Sequence, residues 1–407
     1  MRRRQVITAA PICLLGSIAS PLLHAASDTW GSELSYPSGW EPSTGRNWQY
    51  KPHRVGNFSG GYEQMFRHNT MEAGPIASPL EVQLLNAKKF IFSGQTTRTI
   101  EDYLNKWPTT ALLIARKGKI LVEEYRMERK PDMRFQSWSM AKSVTSLLMG
   151  IALDKGFIQS IDDLPEQYVP PLKGTLLGGI PMRHLLNMSS GVDVVHERDP
   201  YRIDVPALLA SGPTSVGRVV IGWKDKKEEP GIRFNYTELC PLTIGMVIRH
   251  ATQQTLAQFA QQYLWQPMGA EGKATWLTDS NGFEYNCVGF AAQLRDWARL
   301  AQLVVQKGKM GSTQVVSKSW IEDCTKLGPQ DAQVAYGKAR PGAGYKNFFW
   351  HHDPQGRLLA MNGALGQKIL MDMETETVLV HTSVSDEVGP WTADLFPLFF
   401  AATKLSL

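Results

Sequence analysis

Two apolar rhythms divide this chain. Short apolar runs separated by polar turns occupy residues 111–125, with a turn at Lys117-Gly118, and recur at 348–351, 358–361, 368–371 and 378–381, which predicts strands. Between them, from 139 to about 325, helical spacing dominates at 140–153, 239–250, 256–263 and 292–306, and residues 391–404 suit a terminal helix. Strands near both chain ends bracketing helices predict one sheet assembled from distant sequence, with a mostly helical subdomain (about 139–325) inserted in it. Residues 27–80 are rich in Gly, Pro, Ser and aromatics without sustained period, and read as an arm around a single domain at 81–407.

The first long helical run opens on Ser139-Met140-Ala141-Lys142, the one Ser-x-x-Lys in the chain. A serine hydroxyl is a weak nucleophile until a neighbour takes its proton. Helix residues three apart share a face, with Cβ atoms roughly 5–6 Å apart, which brings the Lys142 amine to the Ser139 oxygen. The helix N-terminus favours negative charge developing there. Residues 140–153 are apolar on most faces, so this helix is expected to be buried, with Gly156 as its stop. Two readings of Lys142 stay open. Either desolvation and the helix dipole lower its pKa and leave a neutral or proton-sharing amine, or it snorkels to the surface from a structural helix.

Composition narrows the setting. Arg2, Arg3 and Arg4 precede an apolar stretch at 6–23 broken by Pro11, Gly16 and Pro21, and Ala25-Ala26 offer a cleavage point. Residues 1–26 are therefore expected to be a signal peptide, of twin-arginine type from Arg3-Arg4-Gln5-Val6-Ile7. The mature protein is then expected in a bacterial periplasm or secreted, with no stable membrane anchor after cleavage. No later segment reaches the ~20 apolar residues of a spanning helix. Removing the three arginines leaves +2 of the formal +5, which gives no support to nucleic-acid partners. Cys240, Cys287 and Cys324 remain, an odd set without a close pair; one disulfide could form, but no framework or Cys-x-x-Cys metal site is implied. His351 and His352 would face opposite sides of a strand, and no His-Glu-x-x-His occurs. Neither a metal nor an organic cofactor is expected.

Further segments follow Ser139-x-x-Lys142 in order: His184-Leu-Leu-Asn-Met-Ser-Ser-Gly191, Pro230-Gly-Ile-Arg-Phe-Asn-Tyr236, Leu242-Thr-Ile-Gly245, Gly289-Phe-Ala-Ala-Gln-Leu-Arg-Asp-Trp-Ala-Arg-Leu300 and Asn362-Gly-Ala-Leu-Gly-Gln367. Their order resembles the serine β-lactamase and penicillin-binding-protein superfamily, in its branch of class C-like esterases and 6-aminohexanoate-dimer hydrolases. The resemblance implies an α/β (α+β) fold of the β-lactamase/transpeptidase type, an antiparallel sheet flanked by helices. It makes Ser139 the acylated nucleophile, Lys142 its proton partner and Tyr236 the tyrosine of the Tyr-x-Asn/Ser motif. A phenol of ordinary pKa near 10 beside an ammonium could take the serine proton and return it to the leaving group. The backbone amides of Ser139 and Ala364 would form an oxyanion hole, supported by Asn362 and Gly363.

This chain departs from the family pattern twice. Glu238 stands where the motif has Asn or Ser and reads as a surface charge. Met361 stands where the Lys/His-Thr-Gly strand carries its cation, which argues against lactam or D-Ala-D-Ala substrates. His184 reads as structural, and Trp138, Trp223, Trp350 and the 192–201 loop as pocket walls. The implied function is an exported serine hydrolase cleaving a small amide or ester through an acyl-serine intermediate. The alternatives are a β-lactamase or D-Ala-D-Ala carboxypeptidase, and a non-catalytic binding or sensor protein on the same scaffold.

Overall fold

The computed structural model describes residues 54–87, 89–194, 215–328, 344–353, 355–385 and 391–405. The expected signal peptide and residues 195–201 of the predicted pocket loop lie outside them. Eight strands form the main sheet: β1 (Glu81–Val82), β2 (Thr109–Arg116), β3 (Lys119–Tyr125), β4 (Gly344–Lys346), β5 (Phe349–His351), β6 (Leu358–Asn362), β7 (Lys368–Asp372) and β8 (Thr377–Ser383). Their spatial order is β4-β5-β6-β7-β8-β2-β3-β1, antiparallel throughout except where β1 runs parallel to β3. The first long strand therefore lies beside the last, with Leu113 opposite Val380. The β2–β3 hairpin turns at Lys117 (φ 49°) and Gly118 (φ 78°), the two positive angles that a tight hairpin requires.

The strands read as nearly continuous apolar runs because both faces of the sheet are covered. Leu112, Ile114, Ala360, Leu370 and Leu379 pack on the face closed by α1 (Ile100–Lys106) and by the C-terminal helix, Thr392–Thr403. Leu113, Ala115, Met361, Ile369 and Val380 face the larger core, which contains α2 (Met140–Asp154), α3 (Leu239–Thr252) and α4 (Leu294–Val305). The C-terminal helix is α5. The predicted helix at 256–263 is instead a short α-helix, Leu256–Ala260, continued by a π-helical stretch, Gln261–Trp265. α4 lies directly on β2 and β8, because its apolar stripe of Leu294, Trp297, Leu300, Ala301 and Val304 matches the sheet's inner face.

A second sheet of four short strands has the order His68–Met71, Ala274–Leu277, Phe290–Ala292, Phe135–Gln136. Its first strand comes from the region read as an arm. The preceding segment sets Phe58 edge-on against Trp138, with ring centroids 5.5 Å apart. Phe135–Gln136, at the other edge of this sheet, leads straight into the turn that carries Ser139.

Candidate active site

Ser139 sits at the N-cap of α2 and is half-buried. The turn before it is tight: Trp138 takes φ 46°, a left-handed conformation that costs an aromatic residue on the order of 1–3 kcal/mol. Bonds on both sides hold it. The Ser137 amide donates to Phe290 O (2.7 Å), and the Ser137 hydroxyl donates to Trp138 O (2.8 Å) and Val288 O (3.1 Å). The first helical amides fold back on the same turn, Met140 N to Ser137 O (3.2 Å) and Ala141 N to Trp138 O (3.1 Å). No helix-spacing argument could have found this elbow, since its anchors lie about 150 residues away.

Lys142, one turn on, is 1% exposed, so it does not reach the surface. Its ammonium donates to Ser139 Oγ at 2.9 Å and to Cys287 O at 3.1 Å. It lies 4.8 Å from the centre of the Tyr236 ring and 3.7 Å from Glu238 Oε1. Tyr236 is hydrogen-bonded to both Ser139 and Lys142. The three groups expected to meet do meet.

Tyr236 arrives on a loop held from below, with Gly231 N on Ser189 O and Asn235 N on Met188 O, both at 2.7 Å. Gly231 (φ 87°) closes over the His184 ring, which would touch any Cβ there at 2.8 Å. His184 thus supports the loop from beneath, and its Nδ1 lies 3.4 Å from Ser189 Oγ. Trp350 stacks on the Tyr236 ring (5.7 Å, 24°), and Tyr345 meets it edge-on (6.0 Å, 83°). Of the other expected pocket walls, Trp223 is buried in the core and Trp138 packs on Phe58.

The electrostatics reverse one expectation. Burial works against the Lys142 cation, but the negative ends of Tyr236, Glu238 and Cys287 outweigh it and hold the amine above the usual lysine range. Burial pushes the Tyr236 phenol up, and the Lys142 charge only partly offsets this. Both shifts run toward the proton-bound forms, so the Lys142–Tyr236 pair holds on to its protons rather than discharging the amine. Glu238, whose side chain is 17% exposed, is not a free surface charge but, among the described residues, the carboxylate paired with Lys142. Its place two residues after Tyr236, at the head of α3, was the sequence signal for it.

Across the site, β6 runs out into Gly363, the residue after its last, whose backbone is still extended (φ −117°, ψ 159°). A Cβ at this position would lie 2.3 Å from Ser137 O and 3.0 Å from Trp138 Cβ, so only glycine lets the strand end approach the Ser139 elbow so closely. The following turn, Ala364–Gly366, passes through Leu365 (φ 58°) and Gly366 (φ 93°). Gln367 ties it to the end of β8, its side-chain amide donating to Ser383 O and its carbonyl accepting from Ser383 N. Ala364 is exposed, and neither its amide nor that of Ser139 donates to a backbone carbonyl among the described residues. Asn362 turns the other way. Strand alternation puts it on the face of Lys368 and His381, its register partners across β7 and β8, and Lys368 donates to its Oδ1. For the same reason Lys368 does not supply the cation that Met361 lacks. Cys240, Cys287 and Cys324 are separate, buried free thiols.

A model of the beta-lactamase family matches residues 96–388. The chain is 24% identical over 302 residues to the 6-aminohexanoate-dimer hydrolase of Paenarthrobacter ureafaciens, covering 70% of this chain and 74% of the relative. It superimposes on a Bacillus anthracis structure assigned as a 6-aminohexanoate-dimer hydrolase with TM-score 0.77 and 21% identity, over 87% of this chain and 94% of the other. A D-stereospecific amidohydrolase from a Streptomyces species shares the fold at TM-score 0.55 and 17% identity, over 71% and 93% of the two chains. With a family match spanning well over half of its length, this chain belongs to the beta-lactamase family, a β-lactamase-fold family of hydrolases.

Proposed function

We propose that this chain is an exported serine hydrolase that cleaves a small amide or ester through an acyl-serine intermediate. The observation that carries the reading is the meeting of Lys142 Nζ, 2.9 Å from Ser139 Oγ, with a phenol bonded to both. Once the Tyr236–Lys142 pair has given one proton to solvent, Ser139 Oγ attacks the carbonyl carbon and its own proton passes into that pair. Tyr236 then returns the proton to the leaving nitrogen or oxygen as that bond breaks. The Ser139 and Ala364 amides receive the oxyanion, a donor of this kind contributing about 2.7–4 kcal/mol to transition-state stabilisation. Water enters on the same route, the pair now acting as base, and releases the acid.

Similarity to a 6-aminohexanoate-dimer hydrolase favours a linear amide as substrate. The apolar Met361 side chain, buried in the core, offers no charge to a substrate carboxylate and disfavours lactam or D-Ala-D-Ala chemistry. Export rests on residues 1–26. Burst kinetics with a p-nitrophenyl ester test the chemistry: wild type should release one rapid equivalent of nitrophenol and gain one acyl mass on Ser139. A burst unchanged in Ser139→Ala would refute the assignment. Rapid penicillin labelling of Ser139 without ester turnover would favour the peptidase alternative.

A further inference from the structure

We propose that Glu238 is a positioning residue of the acylation machinery, the counter-ion that seats the Lys142 ammonium on Ser139. The proposal rests on the acyl-serine reading above. Glu238 Oε1 lies 3.7 Å from a Lys142 nitrogen whose hydrogen-bond partners, Ser139 Oγ, Cys287 O and the Tyr236 phenol, include no carboxylate. The titratable groups that act on this nitrogen are Tyr236 and Glu238 from the 230–238 segment and Cys287 from the opposite wall. Tyr345 on β4 and Cys240 on α3 stand behind Tyr236 and Glu238. Glu238 is the one carboxylate in this set.

Its carboxylate is not used elsewhere. Glu238 occupies the N-cap of α3 yet makes no capping bond; the Leu239 amide goes instead to Thr237 Oγ1 at 3.2 Å. Its Oε2 is buried and without a hydrogen-bond partner among the described residues. The helix N-terminus tolerates a negative charge there. A neutral residue at this position would leave the buried ammonium unbalanced. Glu238 makes the Lys142–Glu238 pair neutral overall and pins the lysine beside the serine oxygen. Glu238 itself neither gains nor loses a proton: the Ser139 proton still moves into the Tyr236–Lys142 pair and out to the leaving group.

Removing the carboxylate makes both the Lys142 ammonium and the Tyr236 phenol more acidic. Whichever of them takes the serine proton, the acidic limb of the acylation profile moves to lower pH. For charges about 4 Å apart in a surface-like dielectric, a shift of about one to three pH units is expected. The test is the pH profile of the p-nitrophenyl ester burst for full-length wild type, Glu238→Gln, Glu238→Asp and Ser139→Ala. Glu238→Gln should move the acidic limb down by at least about one unit and lower the plateau about tenfold with KM nearly unchanged. Glu238→Asp, which restores the charge, should keep the wild-type limb. Should Glu238→Gln lose its cooperative thermal transition, Glu238→Ser serves the same test with a smaller neutral side chain. A neutral variant whose profile superimposes on wild type overturns the proposal and returns Glu238 to the surface charges. A burst surviving in Ser139→Ala sinks the serine mechanism instead, whatever Glu238 does.

Discussion

Replacing Gly363 by alanine is a sharp test of how the strand end meets the nucleophile. The backbone there is extended and open to any residue, so conformation gives alanine no penalty. Space does. The new methyl would stand 2.3 Å from Ser137 O, 2.8 Å from Gln367 Cβ and 3.0 Å from Trp138 Cβ, whereas ordinary contacts begin at 3.4 Å. Neither side can yield freely. Ser137 O accepts the Met140 amide at the start of α2, and Gly363 N is bonded to Gln367 O at 2.8 Å. Strand and elbow must therefore separate by about 1 Å, taking the Ala364 amide away from the oxyanion. A misplacement of that size costs on the order of 10²-fold in rate, and losing an oxyanion donor costs about 10²–10³-fold. The overpacking itself should destabilise the fold by about 1–3 kcal/mol. Stopped-flow bursts with a p-nitrophenyl ester measure the first effect and urea unfolding the second. Ala364→Gly, which keeps the amide, is the control and should acylate nearly as wild type does. If Gly363→Ala acylates within about threefold of wild type while Ser139→Ala is dead, residue 364 does not serve the oxyanion, and that part of the mechanism is wrong.

Lys142→Ala and Tyr236→Phe should each abolish acyl-enzyme formation in intact-mass measurements while leaving a cooperative thermal transition; near-normal acylation in either would remove that residue from the mechanism. His381, fully buried between Tyr103, Thr109 and Gly366 O, is pushed down to about 4 by burial, the Gly366 bond only partly opposing this. Because the unfolded chain then binds the extra proton, stability is complete above the ordinary histidine value near 6.5 and falls as pH drops toward 4, by up to about 3 kcal/mol. Urea unfolding of wild type and His381→Gln across that window should show a shallower slope in the variant; parallel slopes would assign the acid sensitivity elsewhere. Gly150→Ala should destabilise α2 by about 1–3 kcal/mol, since its Cβ would fall 2.3 Å from Trp320 Cδ1. Its burst should remain, because that contact lies about three turns from Ser139.

The fold was largely legible along the chain. The strands at 348–351, 358–361, 368–371 and 378–381 appear within a residue or two of β5 to β8, and the run at 140–153 is α2. Boundaries failed where tertiary contacts overrode local pattern, as in the π-helical continuation at Gln261–Trp265. The arm at 27–80 was opaque for another reason. His68–Met71 gains its strand character only by pairing with Ala274–Leu277, about 200 residues on. Asn362 could be put on a strand from the sequence. Which face it presents depends on register, and register put it beside Lys368.

Ser139 and Lys142 could be paired from the chain alone, because helix geometry is local and three residues always bring two side chains to one face. Helix and strand types followed similarly from periodicity. The tertiary structure alone decided whether Tyr236 would reach that pair, which amide would stand across from it, and what charge the lysine would carry. Those outcomes depend on the approach of segments about 100 to 220 residues apart and on the water their packing excludes. Burial alone works against the charge on Lys142; a carboxylate brought within 3.7 Å at the head of another helix works for it.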